Sequence, residues 1–260
     1  MRIGAAGVGS VGRSDFSWIF LLLAAAVLTV AGCSRGELFR QYEYEEEIYL
    51  ALDGSATVYV NTSVAALDAL RGAPFDTSPN ARIDRNEVRA WFTSAAARVV
   101  RTPSLSRRSN RRFVHVRLEI ADVAQLSMAA PFAWSSYRFA KDGDLFDYLQ
   151  TVGAAAGKDV GEVGWKGQEL VAFRLHMPSE IVYHNAGPEN KKRGNILVWE
   201  QSLADRLRGE PVRMEARIES TSILSRTLLL FFATFVAVAI TFGLIIWWVL
   251  RRPRAGASAG

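Results

Sequence analysis

The chain contains little of the chemistry that builds disulfide-linked or metal-stabilised folds. Its 260 residues include one cysteine, Cys33, and three histidines. A single cysteine has no intrachain partner, which excludes a disulfide framework. The histidines His115, His176 and His184 have no second histidine, cysteine or carboxylate at a recognised ligand spacing, so no metal or other cofactor is expected. An ordinary apolar core must therefore stabilise the fold.

Recognisable catalytic motifs are also missing. The sequence has no G-x-S-x-G nucleophile elbow. Residues 7–12 match a dinucleotide-binding fingerprint, but a secretion-type segment follows them instead of a helix, and residues 153–159 resemble a phosphate loop with one residue too few. Glu43, Glu45 and Glu47 alternate along a predicted strand, and we interpret them as a charged solvent face. We expect no enzyme activity.

Positive charge is concentrated at the two ends of the chain. The formal net charge is +5. The first 32 residues contribute +1 and the tail after Leu250 contributes +3, which leaves +1 for residues 33–250. A central region that is so nearly neutral does not favour nucleic-acid binding, and no nucleic-acid partner is predicted.

The longest apolar run, Thr227 to Leu250, contains no charged residue and is followed by Arg251, Arg252 and Arg254. About 20 apolar residues suffice to cross the hydrocarbon core. The run therefore predicts a transmembrane helix over residues 223–250. The positive-inside rule then places the basic tail, residues 251–260, in the cytoplasm and the preceding domain outside.

Residues 1–32 have the layout of a lipoprotein signal peptide. Basic residues precede the apolar segment Phe16–Val30, which ends in Val30-Ala31-Gly32-Cys33. This looks like a bacterial lipobox, in which the cysteine is diacylated, and Cys33 is the predicted lipid-attachment site. The alternative is an uncleaved signal anchor with an incidental cysteine. Either way, a bacterial cell-membrane protein with membrane lipids as partners is predicted.

Residues 33–222 are expected to form the extracytoplasmic domain, which opens with a hairpin. Residues 41–52 alternate between apolar and acidic side chains, which predicts a strand with one wet face. Asp53-Gly54 favours a type I′ turn into a partner strand, Ser55–Thr62. Ser63 caps a predicted helix, Val64–Arg71. Asp84 starts a longer one, with a core stripe of Val88, Trp91, Phe92, Ala95 and Val99.

The later part of the domain predicts more strands. Three single strands are predicted at Phe113–Ile120, Glu169–Met177 and Val212–Ile218, and a helical turn at Asp122–Met128. Trp134–Phe139 and Leu145–Val152 are expected to form a hairpin, although the second segment could be a helix. Ile181–Tyr183 could pair with Asn195–Trp199. The predicted fold class is α+β: a mostly antiparallel sheet with two inserted helices, plus one C-terminal transmembrane helix.

Residues 101–112 (RTPSLSRRSNRR) are predicted to be a polar loop rich in arginine. Guanidinium groups suit phosphate and carboxylate. The loop supplies five candidate residues for binding lipid headgroups, Arg101, Arg107, Arg108, Arg111 and Arg112. A groove between the sheet and the Val88–Val99 helix would take acyl chains. The alternative is an ordinary solvated loop.

The order of these parts resembles the LppM-like family of bacterial lipoproteins. The stretches that carry the resemblance are Tyr49–Val60, Met177–Asn185 and Gly194–Trp199. The resemblance implies an envelope lipoprotein that binds lipids or glycolipids, with no catalytic residues to carry over. The sequence therefore favours a non-enzymatic protein that binds a lipid or a partner protein at the membrane surface. The alternative is a scaffold or assembly subunit of an envelope complex, which would pack through small residues of its membrane helix.

Overall fold

The computed structural model describes residues 40–78, 80–187, 191–192 and 195–251. Contacts within the chain separate residues 1–41 from a unit formed by residues 42–260, and every element below lies in that second unit. The predicted signal segment 1–32, Cys33 and residues 252–260 of the predicted tail lie outside the described residues.

The α+β prediction is confirmed. Strands outnumber helices in the described part of the chain, and the only long helix there is the C-terminal one. In chain order the elements are β1 (Tyr42–Leu50), β2 (Ala56–Ser63), α1 (Val64–Arg71), α2 (Arg85–Phe92), β3 (Arg98–Val99), β4 (Ser104–Arg108), β5 (Arg111–Ile120), 3₁₀ turns at Val123–Met128 and Ala130–Phe132, β6 (Ser135–Asp142), β7 (Leu145–Val152), β8 (Leu170–His176), β9 (Ser179–His184), β10 (Lys191–Lys192), β11 (Ile196–Ser202), α3 (Leu203–Leu207), β12 (Val212–Ser222) and α4 (Ile223–Arg251).

The strands form two sheets. The first has the order β10-β11-β8-β1-β2-β5-β3, with β4 also paired to β5, and its β1–β8 pair is parallel. The second is antiparallel with the order β6-β7-β12-β9. The predicted pairing of Ile181–Tyr183 with Asn195–Trp199 is wrong, because β9 pairs with β12 and β11 pairs with β8.

The opening hairpin is confirmed, but its turn is not of type I′. Gly54 has a φ of +85°, whereas Asp53 is absent from the described residues with positive φ. The Gly54 amide donates to the Ala51 carbonyl and the Ala51 amide donates to the Ser55 carbonyl. This is the three-residue loop in which a glycine in the left-handed region closes the turn.

The two inserted helices have the predicted starting points. The Ser63 hydroxyl accepts the Ala66 amide at 3.1 Å at the start of α1, and Gly72 ends α1 with a φ of +69°. Asp84 caps α2 through the Asn86 amide at 2.8 Å. However, α2 ends at Phe92 and not at Val99, because Ser94 turns the chain by accepting the amides of Ala96 and Ala97. Val88 and Phe92 are fully buried, so the side of α2 that carries them packs into the core.

A buried ion pair lies between the two sheets. Glu46 of β1 and Arg71 at the end of α1 are each 1% exposed, and their charged groups are 2.6 Å apart. The Glu46 carboxylate also accepts hydrogen bonds from the hydroxyl of Tyr44 at 2.9 Å, the amide of Gln150 at 3.0 Å and the hydroxyl of Tyr137 at 3.2 Å. One carboxylate therefore joins β1 and α1 to β6 and β7.

Burial is the main influence on this carboxylate. It raises the pKa of Glu46 to about 7, against the hydrogen bonds from Gln150 and Tyr137, which lower it. The adjacent guanidinium also favours the charged form. Arg71 is itself covered by aromatic rings, with its Cζ atom 3.7 Å from the ring centroid of Trp134 and 4.6 Å from that of Tyr44. The two charges thus compensate each other, and separating them would be costly.

The C-terminal helix continues directly from a strand. β12 pairs with β9 as far as Ser222, with an irregularity after Ile218, and α4 begins at Ile223. The stretch Thr227–Arg251 is long and apolar enough to cross a membrane, and none of its most apolar window is buried against the domain. Its hydroxyls are satisfied internally, since Thr234 and Thr241 each donate to the carbonyl four residues earlier at 2.8 Å.

Replacing Arg71 with Met should lower the free energy of unfolding by about 3–5 kcal/mol, because the buried Glu46 carboxylate would lose its cation. The double variant Glu46→Leu/Arg71→Met should recover most of that loss. Urea unfolding of the full chain in detergent measures both. Arg85→Met, at an exposed position of α2, is the control and should change stability by less than about 0.5 kcal/mol. Equal effects of Arg71→Met and Arg85→Met would contradict the assigned role of the pair.

Candidate functional site: an arginine hollow beside a β-hairpin

Four of the five arginines singled out from the sequence belong to one β-hairpin. The predicted polar loop over residues 101–112 is wrong, because β4 and β5 pair there, with Arg107 opposite Arg112 and Arg108 opposite Arg111. The turn residues Ser109 and Asn110 have φ values of 48° and 59°, as a two-residue type I′ turn requires. Arg101 precedes β4 and is exposed.

The hairpin separates its arginines into two exposed and two buried ones. Arg107 and Arg108 are exposed, whereas Arg111 is 8% and Arg112 is 9% exposed. Arg108 lies over the ring of Phe113, with its Cζ atom 4.5 Å from the centroid, and donates to the Tyr42 carbonyl. The buried arginines hold neighbouring segments in place, and each has its own set of acceptors.

Arg111 connects the hairpin to β1 and to the glycine-rich segment after β7. It pairs with Glu43 at 3.0 Å and donates to the Gly164 carbonyl at 2.8 Å. Glu43 is fully buried, so its assignment to a solvent face is wrong. The cause is an irregularity in β1 between Tyr42 and Tyr44, which turns Glu43 as well as Tyr44 toward the interior.

Arg112 holds the loop between α1 and α2. Its guanidinium donates to the Ala81 carbonyl at 2.8 Å and to the Asp76 carbonyl. Within the described part of the chain it forms no ion pair, so carbonyl dipoles alone compensate its charge at hydrogen-bonding distance. Burial lowers the pKa of Arg112, the nearby carboxylate of Asp76 acts against it, and Arg107 lowers the pKa further. Arg112 is thus a nearly buried cation whose closest contacts are neutral carbonyl groups.

Two hollows open on either side of Arg112. The arginine hollow is a wide, open surface depression of about 470 Å³, lined by Ala81, Arg82, Ile83, Leu105, Ser106, Arg107 and Arg112. The turn pocket has a volume of about 240 Å³ and is lined by Val64, Ala65, Thr77, Ser109, Asn110, Arg111, Arg112, Glu162, Val163 and Gly164. Glu162 makes the turn pocket the less favourable of the two for an anion.

The arginine hollow combines charge with apolar surface. Arg82, Arg107 and Arg112 supply three guanidinium groups around the half-buried side chains of Ile83 and Leu105. Guanidinium binds phosphate or carboxylate oxygens through paired hydrogen bonds. The hollow thus suits a ligand with an anionic head and an apolar part.

Arg82 was not predicted as a site residue. It follows the proline-containing loop, about 25 residues before Arg107, and no sequence spacing connects the two. They meet only because Arg112 holds this loop against the hairpin. Arg107 and Arg112 were predicted, and they line the hollow, while Arg108 and Arg111 are part of the same hairpin but do not line it.

The three histidines lie in hydrogen-bonded positions outside the hollow. His115 contacts the Ser106 hydroxyl at 2.8 Å and the Asn61 side-chain oxygen at 2.9 Å. His176 contacts Glu47 at 2.5 Å and stacks on Tyr49, and His184 contacts the Ala186 carbonyl. Among the described residues, no three histidine, cysteine or acidic side chains converge on a metal-sized site.

Acid should weaken the fold through Glu47. The hydrogen bond from His176 holds the pKa of Glu47 below its ordinary value, so its stabilisation is present above about pH 4.5 and is lost as the pH falls through the folded-state pKa. Urea unfolding of the full chain between pH 3 and 6 should show this loss. Glu47→Gln should flatten the profile, whereas an equally steep profile would exclude Glu47 as the cause. Glu119→Gln is the exposed control on the same sheet.

No protein-family model and no curated protein matches this chain. Among solved structures, it is similar to the NMR structure of the folded domain of LppM from Mycobacterium tuberculosis. The two are 12% identical with a TM-score of 0.40, over 73% of this chain and 98% of that domain. The LppM resemblance expected from the sequence is thus matched by a weak structural similarity, which supports no inference about ligand or activity.

Proposed function

We propose that this protein is a non-enzymatic, membrane-anchored binding protein whose domain holds an anionic lipid or glycolipid in the arginine hollow. The observation that carries the proposal is the hollow itself, which Arg82, Arg107 and Arg112 line together with Ile83 and Leu105. The domain that contains it continues without a loop into a helix long enough to cross a membrane.

A lipid fits the hollow better than a purely polar anion does. Ile83 and Leu105 leave apolar surface accessible between the guanidinium groups. Covering that surface with an acyl chain is favourable at about 25 cal/mol per Å². A free phosphate or an acidic peptide would use the arginines and leave this surface in water.

The anchoring part of the proposal combines α4 with the sequence. At the C-terminal end of α4, which the proposal places in the cytoplasm, Arg251 lies over the ring of Trp247 with its Cζ atom 4.3 Å from the centroid. Aromatic and basic residues favour the membrane interface. Cys33 would add a second, lipid anchor to a bacterial cell membrane. With this topology the domain would lie on the extracytoplasmic side of the membrane.

Replacing both exposed arginines of the hollow, as Arg82→Ser/Arg107→Ser, should weaken binding of a short-chain phosphatidylglycerol about 30-fold. Each basic group contributes about 1 kcal/mol near anionic lipid, and 1.4 kcal/mol corresponds to a tenfold change in affinity. Titration of the full chain in neutral detergent, followed by native mass spectrometry, measures the loss. Arg112 is left intact because it holds the loop.

The matched control is Arg85→Ser/Arg89→Ser, which removes the same charge from exposed positions of α2. It should bind like the unmodified chain. If both double variants bind equally, the hollow is not the site. If the unmodified chain takes up no lipid, and crosslinking in membranes gives one discrete protein adduct, the scaffold function replaces lipid binding.

A further inference from the structure

We infer that the arginine hollow faces away from the membrane that holds α4, and that the protein binds the anionic lipid surface opposite that membrane. The inference rests on the proposed function, since it takes lipid binding by the hollow as given. The inference specifies which membrane supplies the bound lipid. The protein would then connect two surfaces and would not collect headgroups from its own bilayer.

The register of the first sheet places the hairpin at one end of the strands. β2 and β5 are antiparallel, with Ala56 opposite Ile120 at one end and Ser63 opposite Phe113 at the other. The arginine turn directly precedes Phe113 and so lies at the second end. The β1–β2 turn, which contains Gly54, lies at the first end.

The start of α4 lies at the end that contains Gly54. Ser222, the last residue of β12, pairs with Ser179, which is three residues after the end of β8 at His176. β8 runs parallel to β1, and His176 is opposite Tyr49 at the β1–β2 turn. A methyl group on Gly54 would also lie 3.8 Å from the ring of Phe139, near the end of β6. The helix and the arginine hairpin therefore lie at opposite ends of the strands.

The distance between the start of α4 and the arginine hairpin is large compared with the range of electrostatic attraction in solution. The eight paired residues of β2 span about 25 Å at roughly 3.3 Å each. Charges in physiological salt are screened over about 8 Å. With the domain upright on α4, headgroups of the same bilayer would not attract the hairpin.

The junction with α4 favours this upright position. β12 remains hydrogen-bonded close to the helix, where the Ser220 amide donates to the Asp144 carbonyl at 3.1 Å and Ser222 still pairs with Ser179. No loop intervenes that would let the domain fold over onto the bilayer. The turns at the end near α4 are acidic, with Asp53 in the β1–β2 turn and Asp144 in the β6–β7 turn.

Vesicle capture tests the inference. The full chain is reconstituted through α4 into neutral phosphatidylcholine vesicles. Protein-free vesicles containing phosphatidylglycerol, or only phosphatidylcholine, are then added with a second dye. We expect phosphatidylglycerol vesicles to be captured at least tenfold more than neutral ones. A lipid anchor that inserts into the added vesicles would capture anionic and neutral vesicles alike. The ratio of anionic to neutral vesicles captured therefore reports the contribution of the arginines alone. Arg82→Ser/Arg107→Ser should abolish the excess, and Arg85→Ser/Arg89→Ser should retain it.

Two results would overturn the inference, and they are distinguishable from failure of the proposed function. If short-chain phosphatidylglycerol still binds while no excess of anionic vesicles is captured, the hollow serves its own bilayer. An excess that both double variants retain would mean that other charges capture the vesicles. If short-chain phosphatidylglycerol does not bind at all, the proposed function itself has failed.

Discussion

A carboxylate and a guanidinium buried together between the sheets determine how the domain is assembled. Glu46 takes hydrogen bonds from residues of β1, β6 and β7 and pairs with Arg71 at the end of α1. Burying either charge alone would cost several kcal/mol. The two sheets and α1 must therefore meet in one arrangement that satisfies both charges, and the position of the loop after α1 follows from it.

The arginine hairpin also buries charged groups, but its two buried arginines have different partners. Arg111 meets a buried carboxylate, Glu43, and its charge is neutralised. Arg112 meets backbone carbonyls and keeps its positive charge. Adjacent residues of the same type thus have different roles: one connects strands, and the other holds a loop while it lines the arginine hollow. Burial and partners separate these roles, which residue type alone does not.

Local signals predicted much of the fold, and tertiary contacts decided the rest. The Ser63 cap and the apolar run at the C-terminus depend on neighbouring residues, so sequence was sufficient for them. The extension of α2 to Val99 failed because Ser94 offers the backbone competing hydrogen bonds. Glu46 has the same parity in β1 as Tyr44 and Ile48, and this alternation places it on the inward face. No sequence pattern marks Arg82 as a site residue, because only folding places it in the same hollow as Arg107.

The direct passage from β12 to α4 has a mechanical consequence. β12 is an inner strand, bonded to β7 on one side and β9 on the other. A pull on the domain through α4 therefore reaches the hydrogen bonds to both neighbouring strands and not those of a single edge. Force applied to α4 would thus be transmitted into the middle of the second sheet.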